Sequence, residues 1–161
     1  MKSELVTKID SCASELQKIK VRIDKDKFDE MVMFLQRYSI IKACGTIETV
    51  VKNLIADHVD DGTSSEIQNY IQKKVRESST NPSTGNISAL LGEFSSQEWK
   101  VNFDEKVAQH GSEKGSLNSL VQLRNDFAHG NSPNTTINTI IKYFDDARVI
   151  ITLVEESLNG T

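Results

Sequence analysis

Ile40-Ile41-Lys42-Ala43-Cys44-Gly45-Thr46-Ile47-Glu48-Thr49-Val50-Val51-Lys52-Asn53-Leu54-Ile55 is the stretch that decides the fold. Its apolar side chains return every three or four positions, the spacing of one helix face, and not every second position as in a half-buried strand. Val32 and Leu35 extend the same stripe backward through Ile40, Ile41, Cys44, Ile47, Val51, Leu54 and Ile55. Asp60-Asp61-Gly62 supplies a stop. The pattern predicts one long helix over about 28–59.

Working outward, the same period recurs in nearly every segment. Leu5, Ile9, Cys12, Leu16 and Ile19 make one face of a first helix. Thr63-Ser64-Ser65-Glu66 places a hydroxyl three residues before a glutamate, the pattern of a capping box, and predicts the start of a third helix carrying Ile67, Tyr70, Ile71 and Val75. Residues 78–86 have the composition of a loop. A short helix is expected over 87–94. Another begins at Ser95-Ser96-Gln97-Glu98 and contains Trp99, Phe103 and Val107. His110-Gly111-Ser112-Glu113-Lys114-Gly115 reads as a second loop, and a sixth helix runs from near Ser116 to Gly130, a natural left-handed stop. Ser132-Pro133-Asn134 makes a turn, and a last helix over 135–158 carries Ile137, Ile140, Ile141, Phe144, Ile151, Val154 and Leu158 on one side. No repeat and no sustained alternation interrupts this. The expected fold is all-α, an antiparallel up-and-down helical bundle with additional short helices, in one domain over 1–161.

Composition bounds the function. The 161 residues are 37% apolar and 26% charged, ordinary for a soluble domain. Cys12 and Cys44 lie inside helical patterns, with no Cys-x-x-Cys or Cys/His cluster, so they read as reduced thiols and no metal site is expected. There is no Gly-rich phosphate loop, and no cofactor is expected. The N-terminus lacks the apolar core of a signal peptide, and no run approaches the ~18 apolar residues of a membrane span. The expected location is the cytoplasm, with no membrane partner. A net charge of −4 argues against a general nucleic-acid coat, though it leaves room for a local basic groove. Lys18, Lys20, Arg22, Lys25 and Lys27, following the first helix, and Lys73, Lys74 and Arg76 in the third read as solvated helix surface.

Chemistry concentrates in Arg124-Asn125-Asp126-Phe127-Ala128-His129-Gly130. Leu120, Leu123 and Phe127 form a core-facing stripe, whereas Asn118, Gln122, Asn125 and His129 share a polar line. Arg124 and His129 stand about 140° apart on an ideal helix and do not pair there. Two routes would bring them to one site: the reach of the long arginine stem with unwinding of the last turn, or a symmetric partner that sets a second polar line opposite the first. The structural alternative is that two cations at a helix C-terminus simply complement its dipole.

The run Leu120-Val121-Gln122-Leu123-Arg124-Asn125-Asp126-Phe127-Ala128-His129-Gly130 resembles the signature of the HEPN superfamily, an Arg followed after four to six residues by His, with a polar residue directly after the Arg. The Asn after the Arg and the Ala-His-Gly ending are most similar to the RiboL-PSP-type branch. The stretch 40–54 resembles the long second helix of that branch, where a small-residue patch precedes an acidic position. The resemblance implies a helical bundle that dimerises, here through the motif-bearing helix. It implies a metal-independent endoribonuclease, serving as a toxin or anti-phage effector, with two Arg/His motifs meeting in a composite cleft. Arg124, Asn125 and His129 match the motif as catalytic residues. Glu48 is a looser match to the acidic position, and Asp126 and Gln122 are expected in support. RNA, an antitoxin and other regulatory proteins are the implied partners. One branch carries a tyrosine two residues after the histidine, which its antitoxin modifies; here that position is Asn131, so that mode of regulation is not expected.

The residue types suit the chemistry. RNA carries its own nucleophile, the 2′-hydroxyl. A protein has only to take that proton, stabilise a phosphorane and protonate the leaving 5′-oxygen. Histidine changes charge near neutral pH, and the permanently charged fork of arginine matches phosphate oxygens. The alternative is a catalytically silent helical module for RNA or protein binding and dimerisation. Glu48 has its own bland reading, a pair with Lys52 or Arg124, and Asp126 reads as orienting the Arg or capping local structure. His58 and His110 are expected at solvent-facing element ends. Trp99 and the phenylalanines are expected in the core, and Tyr38, Tyr70 and Tyr143 in packing.

Overall fold

A long helix that is apolar on most of its circumference must be covered by others, and the computed structural model shows how. It describes residues 1–94, 98–131 and 135–160. The elements are α1 (Ser3–Lys25), α2 (Met31–Val59), α3 (Ser65–Ile71) running into a π-helical turn (Gln72–Arg76), α4 (Thr84–Phe94), α5 (Glu98–Gln109), α6 (Gly111–Ala128) and α7 (Ile137–Asn159). No strand occurs among the described residues, and the chain is an all-α helical bundle. α7 is the hub, packing against α1, α2, α5 and α6. Its Ile140, Phe144, Ala147, Ile150 and Val154 are fully buried against Ile40, Ile47 and Ile55 of α2, Leu16 of α1 and Leu117 and Leu120 of α6 in one contiguous core. Thr136 starts α7 by accepting the Thr139 N–H at 3.2 Å, and Gly160, at φ 69°, ends it.

Several boundaries differ from the sequence reading. α1 continues to Lys25, so Lys18, Lys20, Arg22 and Lys25 of the basic cluster lie on the helix, and Lys27 follows it. Lys20 pairs with Asp24 at 2.5 Å, and Arg22 reaches Asp29. The 110–115 loop is absent: α6 begins at Gly111, with His110 as its N-cap. Glycine permits helix without favouring it, and here tertiary contacts hold the first turns. Ser116 donates to Asp146 at 2.5 Å, and Leu117 is fully buried. The capping box at Thr63 does not form. The Thr63 hydroxyl instead donates to the Asp60 carbonyl at 2.8 Å, closing α2, and Ser64 takes the N-cap of α3. The helix expected from 87 begins at Thr84. Ser95, Ser96 and Gln97 of the predicted α5 start, and the Ser132-Pro133-Asn134 turn, lie outside the described residues.

The π-turn corrects the reading of Arg76. Its Glu77 N–H reaches back five residues to the Gln72 carbonyl at 3.0 Å. Arg76 is thereby swung against α2, where it meets Asp57 at 2.6 Å, Asp60 at 2.7 Å and the Asn53 side chain at 3.2 Å. It is a clamp between elements, not solvated surface, while Lys73 and Lys74 are exposed as expected.

α2 departs from the usual one-sided helix. Its inner face is fully buried, yet Met31, Phe34, Tyr38 and Ile41 are about half exposed. Phe28, in the turn before it, is 98% exposed. Ile41 therefore leaves the core stripe to which its spacing assigned it. Phe28, Phe34 and Tyr70 are likewise not core or packing residues, whereas Tyr38, about half exposed, bonds through its hydroxyl to Glu15 of α1. A Cβ placed on Gly45 would meet nothing within 4 Å among the described residues, so no close approach there requires the glycine, which costs roughly 1 kcal/mol relative to alanine in a helix interior.

Both cysteines are free and buried. Burial pushes the Cys44 thiol up from 9.0 to about 12, outweighing the opposing pull of Arg124. The thiol's proton is therefore held more tightly in the folded chain. Stability from this group is intact below pH 9.0 and is lost as pH rises toward about 12, by up to roughly 1.4 kcal/mol per pH unit. A thiol titration near pH 8 is expected to find neither Cys12 nor Cys44 reactive until the chain is unfolded. Fast labelling of the native protein would contradict this packing.

Candidate functional site

α6 is seated on α2 by two contacts. The Cys44 thiol donates to the Leu120 carbonyl at 3.5 Å, and the Arg37 guanidinium stands 5.5 Å from the centre of the Phe127 ring. Seven residues separate the contacts on each helix, in opposite directions, so α2 and α6 run antiparallel in a fixed register. The last turns of α6 lie level with residues 35–41 of α2.

Arg124 follows Leu120 by one turn and is half-buried where α6 meets α2. It is close enough to Cys44 for its charge to act on the thiol. Its Nη1 donates to the Asn125 side chain at 3.3 Å, the neighbouring pair that the motif spacing brings together. His129 is the C-cap of α6, its N–H bonded to the Asn125 carbonyl at 3.0 Å. Its imidazole is exposed and has no hydrogen-bond or ion-pair partner among the described residues.

The helix ends sharply. Gly130 adopts φ +83°, its N–H bonds the Phe127 carbonyl at 3.0 Å, and the Asn131 N–H bonds the Asp126 carbonyl at 2.9 Å. This pair of bonds is a Schellman stop, for which glycine is favoured because the left-handed region penalises a Cβ. The last turn does not unwind, so that route to joining Arg124 and His129 is closed, and no hydrogen bond links them within the chain.

The polar line divides by use. Asn118 faces α4, accepting the Thr84 N–H at 3.0 Å and donating to the Thr84 hydroxyl at 3.1 Å. It holds the start of α4. Gln122 donates to Asp126 at 2.7 Å, an exposed pair one turn apart. Asn125 and His129 remain available at the tip. Glu48 is not gathered with them. Its carboxylate accepts Lys52 Nζ at 3.0 Å and the Thr80 N–H at 3.1 Å, and Lys52 also donates to the Ser78 carbonyl. In the antiparallel register Glu48 lies about eight residues, or roughly 12 Å, along α2 from the level of Arg124. Its geometry is that of a tether for the segment after the π-turn.

Two neighbours escaped the sequence reading. Arg37 adds a second cation beside the motif; the signal was the one charged side chain between Met31 and Ile41 on α2. Ser119, Gln122, Leu123, Thr136, Thr139 and Tyr143 line an open groove between α6 and α7. Its hydroxyls come from two helices, a juxtaposition that periodicity within either one does not reveal. His58, read as solvent-facing, is exposed but meets Trp99 edge-on at 5.1 Å. Trp99 packs against the core from a half-buried position. Among the described residues no three His, Cys, Asp or Glu side chains gather as metal ligands, and no helix is long and apolar enough to cross a membrane.

A family model described as RiboL-PSP-HEPN matches residues 7–160. No curated protein and no solved structure matches the chain.

Proposed function

The chain belongs to the RiboL-PSP-HEPN family, a HEPN-type family, and from that premise we propose that it is a metal-independent endoribonuclease whose site is the tip of α6. The observation that carries this reading is the contrast between two side chains. Arg124 is held against α2, while His129 is presented at a sharp helix stop with its imidazole unengaged among the described residues. One is a fixed charge and the other a group free to exchange protons with a substrate.

The RNA 2′-hydroxyl attacks the adjacent phosphorus as an imidazole takes its proton. The O2′–P bond forms, and the P–O5′ bond breaks as a proton is delivered to O5′. Arg124 neutralises the charge that accumulates on the non-bridging oxygens of the phosphorane. Asn125, bonded to Arg124 through its Oδ1, keeps its amide N–H groups for the substrate. Nothing in this sequence of steps calls for a metal, because the nucleophile belongs to the substrate. The single histidine of each motif supplies one of the two proton-transfer roles. Two chains supply both, so the active species is a homodimer. Uncontrolled RNA cleavage is harmful to a cell, which is the reason a toxin or anti-phage role, restrained by a partner protein, follows from the activity.

The test is incubation of the purified protein with end-labelled RNA in EDTA. Expected products carry 2′,3′-cyclic phosphate and 5′-hydroxyl ends, with DNA of the same sequence untouched. Products with 3′-hydroxyl and 5′-phosphate ends, or cleavage restored only by a divalent ion, would refute the mechanism. A catalytically silent binding module is the second reading. It is favoured by the net charge of −4 and by the absence of an Arg124–His129 hydrogen bond within one chain. It predicts folded protein that binds RNA or protein and leaves tRNA and mRNA intact.

A further inference from the structure

The geometry points to the groove between α6 and α7 as a base-binding subsite. It seats the nucleobase flanking the RNA linkage cut at the α6 tip, and so rests on the cleavage reaction proposed above. The two helices are joined through residues 129–136 at one end and pinned at the other by the Ser116–Asp146 bond. They therefore run antiparallel, with Ser119 level with Tyr143, Leu123 with Thr139 and Asp126 with Thr136. The groove encloses about 430 Å³, within the roughly 300–1,000 Å³ of small-ligand sites. Lys142, bonded to Asp146 and Ser116, stands beyond its far end. Its near end lies toward His129, which follows Leu123 by six residues, or roughly 9 Å along α6. Around α6, Arg124 lies on the α2 side and Ser119 and Gln122 on the α7 side, with Asn125 and His129 between them on the outer face. A strand whose phosphate meets Arg124 and passes Asn125 and His129 thus arrives at the groove.

The lining says which part of a nucleotide belongs there. No lysine or arginine lines the groove, and the Asp126 carboxylate, which accepts Gln122 at 2.7 Å, stands beside it. A phosphate is disfavoured in such a place, and the uncharged base is the fit. Leu123 from α6 and Tyr143 from α7 supply apolar and aromatic walls, the surfaces against which unpaired bases stack. The hydroxyls and the Gln122 amide offer donors and acceptors to a base edge. Thr136 and Thr139 hold one another at 3.0 Å, but two other hydroxyls are unclaimed. Ser39, Thr49, Thr152 and Ser157 each turn back to the carbonyl four residues earlier, the usual resort of a helical hydroxyl. Half-buried Ser119 and Tyr143 make no hydrogen bond among the described residues. A partly desolvated hydroxyl without a partner costs free energy, and a base edge lodged between the two helices supplies that partner.

Two measurements separate the subsite from the chemistry. In the first, RNA carrying 5-iodouridine and 2′-O-methyl groups throughout is bound to the full chain and irradiated. It has no nucleophile, so it reports binding without cleavage. The crosslink is expected at half-buried Tyr143 ahead of the more exposed Tyr38 and Tyr70, and is expected to vanish in Thr139→Phe, which fills the groove. In the second, a randomised RNA is cleaved and the new ends are sequenced. The wild type is expected to favour particular bases at one position beside the cut. The double variant Ser119→Ala, Thr139→Val, which keeps the shape of the groove, is expected to flatten that preference. It is also expected to raise KM about 10-fold with kcat little changed, the worth of one base contact. No crosslink at Tyr143, or a flanking preference and KM that the double variant does not move, would overturn the assignment. Crosslinking at Tyr143 without cleavage of any RNA refutes the nuclease reading and leaves the base site standing.

Discussion

His129→Ala is expected to lower RNA cleavage by about 10²–10⁴-fold, the usual worth of a positioned acid or base, with little change in stability. The structural half of that expectation comes from the lack of any side-chain partner for His129 among the described residues. Its contribution to α6 is a backbone N–H, which alanine retains. Arg124→Ala is expected to cost about 10²–10³-fold in rate, as for loss of one preorganised charge at a developing oxyanion. Lysine is a poor replacement, since a point charge does not reproduce the planar fork. Arg124 is half-buried against α2, so its variant needs a melting curve beside the assay. Single-turnover rates on a defined RNA, in EDTA, are the measurement. A folded His129→Ala protein that cleaves at the parental rate would remove the histidine from the mechanism.

Phe144→Ala is expected to be the most damaging change of stability, about 3–5 kcal/mol. Phe144 is 1% exposed at the centre of α7, the helix against which α1, α2, α5 and α6 all pack. Removing the ring therefore opens a void between several elements at once. With total stabilities of roughly 5–15 kcal/mol for domains generally, a loss of that size takes much of the margin. Urea unfolding followed by circular dichroism measures it. The midpoint is expected to fall with an unchanged denaturant slope. A loss below about 1 kcal/mol would mean that the core closes around the gap and that α7 is not its hub.

Periodicity recovered the long helices because their burial is one-sided or nearly so. Leu5 to Ile19 in α1 and Ile140, Phe144, Ile151 and Val154 in α7 are buried where their spacing put them, and Ile141 is partly so. What failed was local chemistry overruled by tertiary contacts. Two glycines suggested a loop at 110–115, and the Ser116–Asp146 bond and buried Leu117 made it helix. Thr63 had the spacing of a capping box, but the Asp60 carbonyl at the end of α2 lay within reach. The site was legible in part for the same reason. Arg124, Asn125 and His129 are neighbours in sequence, so their placement on one helix end needed no tertiary knowledge. Asn118 was assigned by its position on a helix and Glu48 by the resemblance of the 40–54 stretch, and both are claimed by distant segments, Thr84 and Thr80. Ile41 was misread because a spacing of three or four identifies an apolar face without saying which way it points.

The sharp stop at Gly130 has a consequence for how such a motif can vary. The imidazole is indexed to the glycine, since the C-cap is counted backward from the left-handed residue. The guanidinium is indexed to Cys44 and Leu120, counted along the helix pairing. The two groups thus hang from separate rulers with separate zero points. One residue inserted between them lengthens α6 by about 1.5 Å and turns the histidine by about 100°, leaving the arginine where it was. A lineage that alters the spacing must re-aim one group without disturbing the seat of the other, and the helix end is the cheaper ruler to reset.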